Sequence, residues 1–348
     1  MLTDRIEAKW IESFADVFRL CGVGEGEVVR ILSESQSRAL NVQLAELALF
    51  AIGAKPFHIV VPTPHQTAPV PVRSTGASQA LQGLELLLQA LRGPGLVVDL
   101  TLEGLLHAPE LPGLLGSGTR IIMVSNEHPD VLERLPPDPA LMPKVKLGMR
   151  KLKEARRMHV ASAHGTDLSI ELQGARSGGV WGFTERPGTI AHWPGGLCLA
   201  FPKAGSVNGR LVLAPGDANL TFKRYLESEV SLVIEDDYVT AIEGRSFDAD
   251  LMRDHLAAWG EREAYAVSHV GWGMNPRARW DAMVMYDRRD INGTELRAFA
   301  GNFLFSTGAN ETAGRFTQGH FDLPLRHCTI RLDDGPVVVE GKLQGELA

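Results

Sequence analysis

Histidine and aspartate provide the clearest candidate chemistry in this chain. His320-Phe-Asp322 is a His-x-Asp pair, and residues i and i+2 of a β-strand point to the same face, so both side chains could bind one metal ion. A second pair, His128-Pro-Asp130, follows a predicted strand, and we interpret it as a turn. The spacing alone is compatible with a metal-binding strand but does not establish one.

A third histidine, His269, lies in the segment Ser268–Arg277 together with a Gly-x-Gly sequence and an Asn-Pro turn. Glycine is used where the backbone must pass close to another group. Two interpretations stay open: a packed histidine at a tight strand exit, or a further metal ligand. With His320 and Asp322, it would complete the two imidazoles and one carboxylate of non-haem Fe(II) oxygenases, a set that leaves metal positions open.

Two more histidines stand out. His107 follows the predicted strand Leu96–Leu100, and ligands of open parallel sheets bind beyond the carboxyl ends of the strands. This position suits an acid–base group, and a solvated loop histidine is the alternative. His192 begins a constrained His-Trp-Pro-Gly-Gly turn. Nucleophilic catalysis finds little support, because the sequence has no Gly-x-Ser-x-Gly elbow.

Composition limits the classes of partner. The 348 residues, 44% of them hydrophobic, are enough for about two folded domains. A net charge of −7 without a basic cluster argues against nucleic acid and against anionic membranes as partners. The three cysteines are too few for a disulfide framework, and Met1–Arg5 lacks the features of a signal peptide. We therefore expect a cytoplasmic protein.

Hydrophobic periodicity divides the chain into two halves. The first alternates helices with apolar strands and predicts an α/β domain with a mainly parallel sheet at residues 1–158. The second has short alternating strands and predicts an α+β metal-binding domain with a largely antiparallel sheet at residues 159–348. The basic helix Pro143–Arg157 is interpreted as a solvated connection between them. Predicted helices are Thr3–Cys21, Ser37–Ile52, Ser78–Leu91 and Phe247–Trp259; predicted strands are Glu27–Leu32, Phe57–Val61, Leu96–Leu100, Arg120–Val124, Ser169–Leu172, Leu197–Phe201, Arg210–Leu213, Val230–Ile234 and the hairpin Cys328–Leu332 to Pro336–Glu340.

Five segments together resemble a known family. They are Ser268–Trp280, Gly301–Gly308, Gly319–Arg326, Leu105-Leu-His-Ala-Pro-Glu110 and His192-Trp-Pro194. The chain resembles the 2,5-dihydroxypyridine 5,6-dioxygenases of nicotinate breakdown, in the same order over essentially its whole length. The wider superfamily contains the metallo-aminopeptidases of the aminopeptidase T type, which form the alternative interpretation.

The metal ligands separate the two families. The aminopeptidases that resemble this chain hold two metals with five ligands. At the matching positions, this chain has Leu197 and Leu304 in place of two ligands, and His269 in place of a glutamate. Only His320 and Asp322 are kept. Leucine cannot bind a metal, so the resemblance implies one Fe(II), held by His269, His320 and Asp322.

The resemblance also implies the reaction and the remaining roles. The enzyme would use O2 to open the ring of 2,5-dihydroxypyridine, or of a close hydroxylated N-heterocycle, giving N-formylmaleamate, and would form a homo-oligomer. His107 and His192 would be catalytic, while Arg297 and Ser306 would bind the substrate. A helix-surface arginine and a strand hydroxyl bonded to backbone are the alternatives for the last two. Relatives carry a Glu–Tyr pair where this chain has 179–183, and we consider Glu185 as a replacement.

Overall fold

The N-terminal part of the chain alternates helices and strands, as the hydrophobic pattern predicts. The computed structural model describes residues 5–71, 78–124, 126–333 and 335–348. Thr3, where we predicted the first helix to begin, lies outside these residues, and the helix predicted to begin at Ser78 begins only at Glu85. The elements are α1 (Ala8–Leu20), β1 (Val28–Glu34), α2 (Ala39–Ala51), β2 (Lys55–Val61), α3 (Glu85–Leu91), β3 (Leu96–Asp99), α4 (Leu111–Gly116), β4 (Arg120–Val124), α5 (Pro129–Arg134) and α6 (Leu141–Glu154).

The C-terminal part consists mostly of strands. Its helices are short apart from one, which begins after Ser246, whose side chain accepts a hydrogen bond from the Ala249 amide and caps the helix. The elements are β5 (Arg157–Ala161), β6 (Asp167–Glu171), β7 (Arg176–Val180), β8 (Ile190–Trp193), β9 (Leu197–Phe201), β10 (Val207–Leu213), β11 (Ala218–Asn219), β12 (Arg224–Tyr225), β13 (Val230–Glu235), β14 (Tyr238–Glu243), α7 (Phe247–Ala258), β15 (Val267–Gly273), α8 (Ala282–Met285), α9 (Thr294–Ala298), β16 (Phe303–Asn310), β17 (Arg315–Leu325), β18 (Thr329–Leu332), β19 (Gly335–Val339) and β20 (Lys342–Leu343).

Five parallel strands form the first sheet, in the order β2-β1-β3-β4-β8. Strands β1, β3 and β4 are largely buried and apolar, as expected for a parallel sheet covered on both faces. The fifth strand, β8, comes from later in the chain and places His192 beside Met123 of β4. The carboxyl ends of β3, β4 and β8 therefore meet at one edge of the sheet.

The second half contains two larger antiparallel sheets, which confirms the predicted fold class. One has eight strands in the order β14-β13-β10-β6-β5-β18-β19-β20, and the other has five in the order β17-β16-β15-β9-β7. The largest hydrophobic core lies between them and includes Trp272, Phe303 and Phe321. Strands β15, β16 and β17 are neighbours in the five-stranded sheet and contribute side chains to this core.

The basic helix α6 is not simply a solvated connection. Val145, Gly148 and Leu152 on one of its faces are buried, and the helix packs on β7 and β9. Apolar residues at helical spacing explain this burial, because they form a stripe between the lysines. Among the described residues, no helix is long and apolar enough to cross a membrane.

Candidate metal centre and active site

Three neighbouring strands bring the predicted ligands into one row. The pairing register sets His269 on β15 opposite Ser306 on β16, and Ser306 opposite Asp322 on β17. His320 lies two residues before Asp322, so both side chains point to the same face. Nε2 of His320 lies 3.2 Å from Oδ1 of Asp322, and Nε2 of His269 lies 4.0 Å from the same oxygen. The same-face arrangement expected for the His-x-Asp pair is thus present.

A third imidazole approaches this row from the N-terminal half. His107 lies in the loop after β3, and its ring centroid is 4.6 Å from that of His320 and 5.8 Å from that of His269. One ring nitrogen from each histidine lies within 4.8 Å of the others. His107 is half-buried and faces the centre, so it is not the solvated loop histidine that we considered as an alternative.

Two side chains hold the carboxylate of Asp322. Nε of Arg297, on α9, donates to Oδ2 at 2.6 Å, and the hydroxyl of Ser306 donates to Oδ1. Burial alone would raise the pKa of Asp322, but the Arg297 charge and the His320 imidazole outweigh it and hold that pKa well below its usual range. Asp322 is therefore an anion at neutral pH, although it is only 2% exposed.

His107, His192 and His269 are neutral at pH 7. Burial lowers the pKa of His269 to about 3 and that of His192 to about 4, and burial together with the nearby imidazoles lowers the pKa of His107. Nδ1 of His192 lies 2.6 Å from the Pro194 carbonyl oxygen. Because a carbonyl can only accept, Nδ1 carries the proton and Nε2 keeps a free lone pair.

This donor set fits a metal cation. The neutral imidazole of His269 and the ionised carboxylate of Asp322 are in the protonation states that metal ligation requires. Nδ1 of His269 is buried and has no hydrogen-bond partner among the described residues. Two imidazoles and one carboxylate leave further positions on an octahedral ion open.

A cavity connects the metal-binding row with the edge of the parallel sheet. Its walls combine residues at the carboxyl ends of β3, β4 and β8 with residues of the antiparallel layer and of α9. This is where the sheet rule predicts a ligand. Ser306 lies behind Asp322 and does not line the cavity. The lining residues are Asp99, Thr101, Leu102, Glu103, Gly104, Leu106, His107, Met123, Val124, Asn126, His192, Leu197, Leu199, His269, Asn292, Thr294, Arg297, Leu304, His320 and Asp322.

Several lining residues were missed by sequence reasoning. Asp99, Glu103 and Asn126 have no recognisable motif, and only their position after β3 and β4 could have indicated them. Glu185, which we considered as a replacement for the carboxylate of relatives, is exposed and does not line the cavity. Glu103, by contrast, is a carboxylate that lines the cavity.

Known proteins resemble this chain over nearly its whole length. A family model described as NicX, 2,5-dihydroxypyridine 5,6-dioxygenase, matches residues 9–345. The 2,5-dihydroxypyridine 5,6-dioxygenase of Pseudomonas putida KT2440 is 37% identical over 338 residues, which span 96% of this chain and 95% of that protein.

Solved structures give the same picture. The 2,5-dihydroxypyridine dioxygenase structure from Pseudomonas putida KT2440 has a TM-score of 0.92 and 36% identity, and the match covers 100% of this chain and 99% of that one. Wild-type AmpT from Thermus thermophilus has a TM-score of 0.61 over 97% of this chain and 99% of that one. At 14% identity, the likeness to AmpT shows the fold alone.

Proposed function

Because the chain belongs to the 2,5-dihydroxypyridine 5,6-dioxygenase family, we propose that it is an Fe(II)-dependent, ring-cleaving dioxygenase. Its substrate is 2,5-dihydroxypyridine or a close hydroxylated N-heterocycle, and the product from 2,5-dihydroxypyridine is N-formylmaleamate. Both atoms of O2 enter the product, so the reaction needs no added reductant. The observation that carries this proposal is the convergence of His269, His320 and Asp322 on one face of the cavity.

His269, His320 and Asp322 would hold the iron. Oδ1 of Asp322 lies close to Nε2 of both histidines, and its negative charge would stabilise a divalent cation. His107 also comes near, but it stands on a loop of the other half, so we assign it to the substrate. Fe(II), when bound, would supply an open-shell centre through which electron density can pass from the spin-paired ring to O2.

His107 and His192 would move protons. Both are neutral at pH 7, so each can accept a proton from a ring hydroxyl of the substrate. For His192 the accepting atom is Nε2, because Nδ1 is engaged with Pro194. Transfer to these bases would leave an electron-rich ring, which is the form that O2 attacks.

Arg297 and Ser306 would act in two ways. Both bind the Asp322 carboxylate and so fix the orientation of a ligand. Arg297 also lines the cavity, and its remaining N–H donors would bind an anionic oxygen of the substrate. Ser306 is fully buried behind Asp322, so its contribution to substrate binding would be indirect.

The aminopeptidase alternative is disfavoured by the cavity wall. Leu197 and Leu304, which match ligand positions of the dinuclear enzymes, both line the cavity. An apolar side chain offers no donor atom, so a second metal would lack ligands. The wall instead provides an apolar surface on which a flat ring can lie.

Oxygen consumption by iron-loaded protein tests the proposal. Protein reconstituted with Fe(II) under nitrogen should consume one O2 per 2,5-dihydroxypyridine while the ring absorbance disappears. His269→Ala should lose both iron and activity, whereas His107→Ala should keep its iron and lose about 10²–10⁴-fold in kcat. His159→Ala, on an exposed strand position far in sequence from every ligand, is the matched control. No uptake by fully loaded wild-type protein would refute the substrate, and full activity of His269→Ala would refute the ligand set.

We also propose that the chain forms a homo-oligomer. Leu47 and Phe50 of α2 and Phe57 and Val60 of the edge strand β2 are exposed and apolar, and Phe50 is 63% exposed. Exposed apolar side chains on two elements in contact form a face typical of subunit contacts. Phe50→Lys should lower the mass measured by light scattering, and an unchanged mass would exclude this face.

A cytoplasmic location is proposed as well. Cys21, Cys198 and Cys328 are buried free thiols. Thiols of this kind persist in a reducing compartment. Cell fractionation tests this location. Activity found outside the cytoplasmic fraction would contradict it.

A further inference from the structure

Asp99 is a buried carboxylate beside the cavity that the chemistry described above does not use. We propose that Asp99 is a positioning residue, which holds the loop 100–107 in the shape that turns His107 toward the metal centre. The proposal rests on the proposed function, because it concerns how the base His107 is placed. Asp99 is only 1% exposed and ends strand β3 at the carboxyl edge of the parallel sheet.

Both oxygens of Asp99 accept hydrogen bonds from the loop. Oδ1 accepts from the Thr101 amide at 3.0 Å and from the Thr101 hydroxyl at 2.7 Å. Oδ2 accepts from the Leu105 amide at 2.8 Å. The Asp99 side chain thus links Thr101, at the start of the loop, to Leu105, two residues before His107. These bonds hold the turn between them in one conformation.

The rest of the loop leaves little freedom for another shape. Gly104 has φ of +72°, and a Cβ there would lie 2.0 Å from Cε of Met123. Glu34 on β1 accepts from the Leu102 amide at 3.2 Å. Leu105 is fully buried. The loop therefore lies against the sheet edge at several points, and Asp99 binds it on both sides of the turn.

The bonds to Asp99 are strongest to its ionised form. They come from N–H and O–H groups rather than from a cation, and burial raises the pKa of Asp99 to about 6. A proton on Oδ2 would meet the Leu105 amide, which can only donate, whereas the Thr101 hydroxyl can accept a proton carried by Oδ1, so protonation weakens the bonds to the loop. Other titratable groups around the loop are Glu34 on β1, Glu103 and His107 in the loop, and His192 on β8.

A double-mutant cycle tests this role. Asp99→Asn replaces one acceptor with an NH2 group that faces a donor, and should lower kcat at least 10-fold without changing the iron content, because the ligands lie on β15 and β17. In protein that already carries His107→Ala, the same change should cost less than 2-fold. In the wild type, kcat should fall as the pH drops below about 6, because Asp99 becomes protonated. In Asp99→Asn this fall should be absent. Asp217→Asn, at a buried carboxylate that also accepts backbone N–H bonds but lies outside the cavity, is the control.

Hydrogen–deuterium exchange of the 100–108 peptide gives a readout that does not depend on activity. Exchange should rise in Asp99→Asn and stay unchanged in Asp217→Asn. If wild type is inactive toward 2,5-dihydroxypyridine but exchange responds as expected, the proposed function fails and the positioning role survives. Equal kcat losses with and without His107, or unchanged exchange, would overturn the role. If Asp99→Asn does not accumulate, Thr101→Val, which removes one of the three bonds, should show the same changes at smaller size.

Discussion

Arg297→Met should make the stability of the protein depend on bound metal. In the metal-free protein, the guanidinium neutralises Asp322 across 2.6 Å, in a place where Asp322 is 2% and Arg297 14% exposed. Two unit charges about 4 Å apart interact by about 4 kcal/mol at the effective dielectric typical of proteins. Breaking one partner of such a buried pair costs about 3–5 kcal/mol, because a buried charge is left uncompensated.

A metal ion bound at the centre would neutralise the charge of Asp322 in place of Arg297. We therefore expect Arg297→Met to lose about 3 kcal/mol of unfolding free energy without metal, or roughly 4 °C in Tm, and only about 1 kcal/mol with metal bound. The difference of about 2 kcal/mol must appear in the binding equilibrium, because the two are linked. Fe(II) should bind the variant about 30-fold more tightly than the wild type.

Thermal unfolding with and without Fe(II) under nitrogen measures the first effect, and titration of the metal measures the second. Arg134→Met is the matched control, because Arg134 pairs at 2.8 Å with Glu295, which is completely buried but lies outside the cavity lining. That variant should lose similar stability in both states. Equal destabilisation of Arg297→Met with and without metal would refute the reasoning that the metal neutralises Asp322, and weaker metal binding would show that the orientation of Asp322 by Arg297 outweighs the competition of its charge.

Three further changes have expected outcomes. Gly271→Ala would place a Cβ 2.0 Å from a carbonyl oxygen of β9, so the variant should fail to fold or lose several kcal/mol in thermal unfolding, and a normal Tm would contradict the packing. Glu127→Gln should cost about 1–3 kcal/mol in denaturant unfolding, because both of its buried oxygens accept from the amides of Asn292 and Thr294 ahead of α9; an unchanged midpoint would show that these bonds contribute nothing. Burial lowers the pKa of His255 to about 4, so the unfolded state binds its proton first, and stability should fall by about 2–3 kcal/mol as pH drops from roughly 6.5 to 4. His255→Phe should flatten that slope, and an unaltered pH dependence would assign it to other groups.

Local patterns predicted the parts of the site that lie on one element. The two-residue period of a strand is enough to set His320 beside Asp322, and the sheet-edge rule is enough to bring His107 to a cavity. The alternation of helix and strand likewise predicted the parallel sheet of the first half. These inferences succeed because they depend only on geometry within a strand or at a strand end.

Relations between distant segments were not predictable in the same way. The register that sets His269 opposite Ser306 depends on the pairing of β15 with β16, and nothing local specifies it. Strand β8 joins a sheet whose other members all precede it, and this carries His192 to the cavity. Asp99 resembles any polar residue at the end of a strand, and its proposed role follows only from the bonds that it accepts on both sides of the loop turn.

Leu197 and Leu304 give one wall of the cavity its apolar character. Both side chains line the cavity together with His269. Leucine has no donor atom, so neither side chain can bind a cation. A flat heteroaromatic ring needs such a wall, together with a few polar groups at its edge. In the proposed function this wall binds the ring, so polar side chains introduced at Leu197 and Leu304 should weaken binding of the ring while iron remains bound.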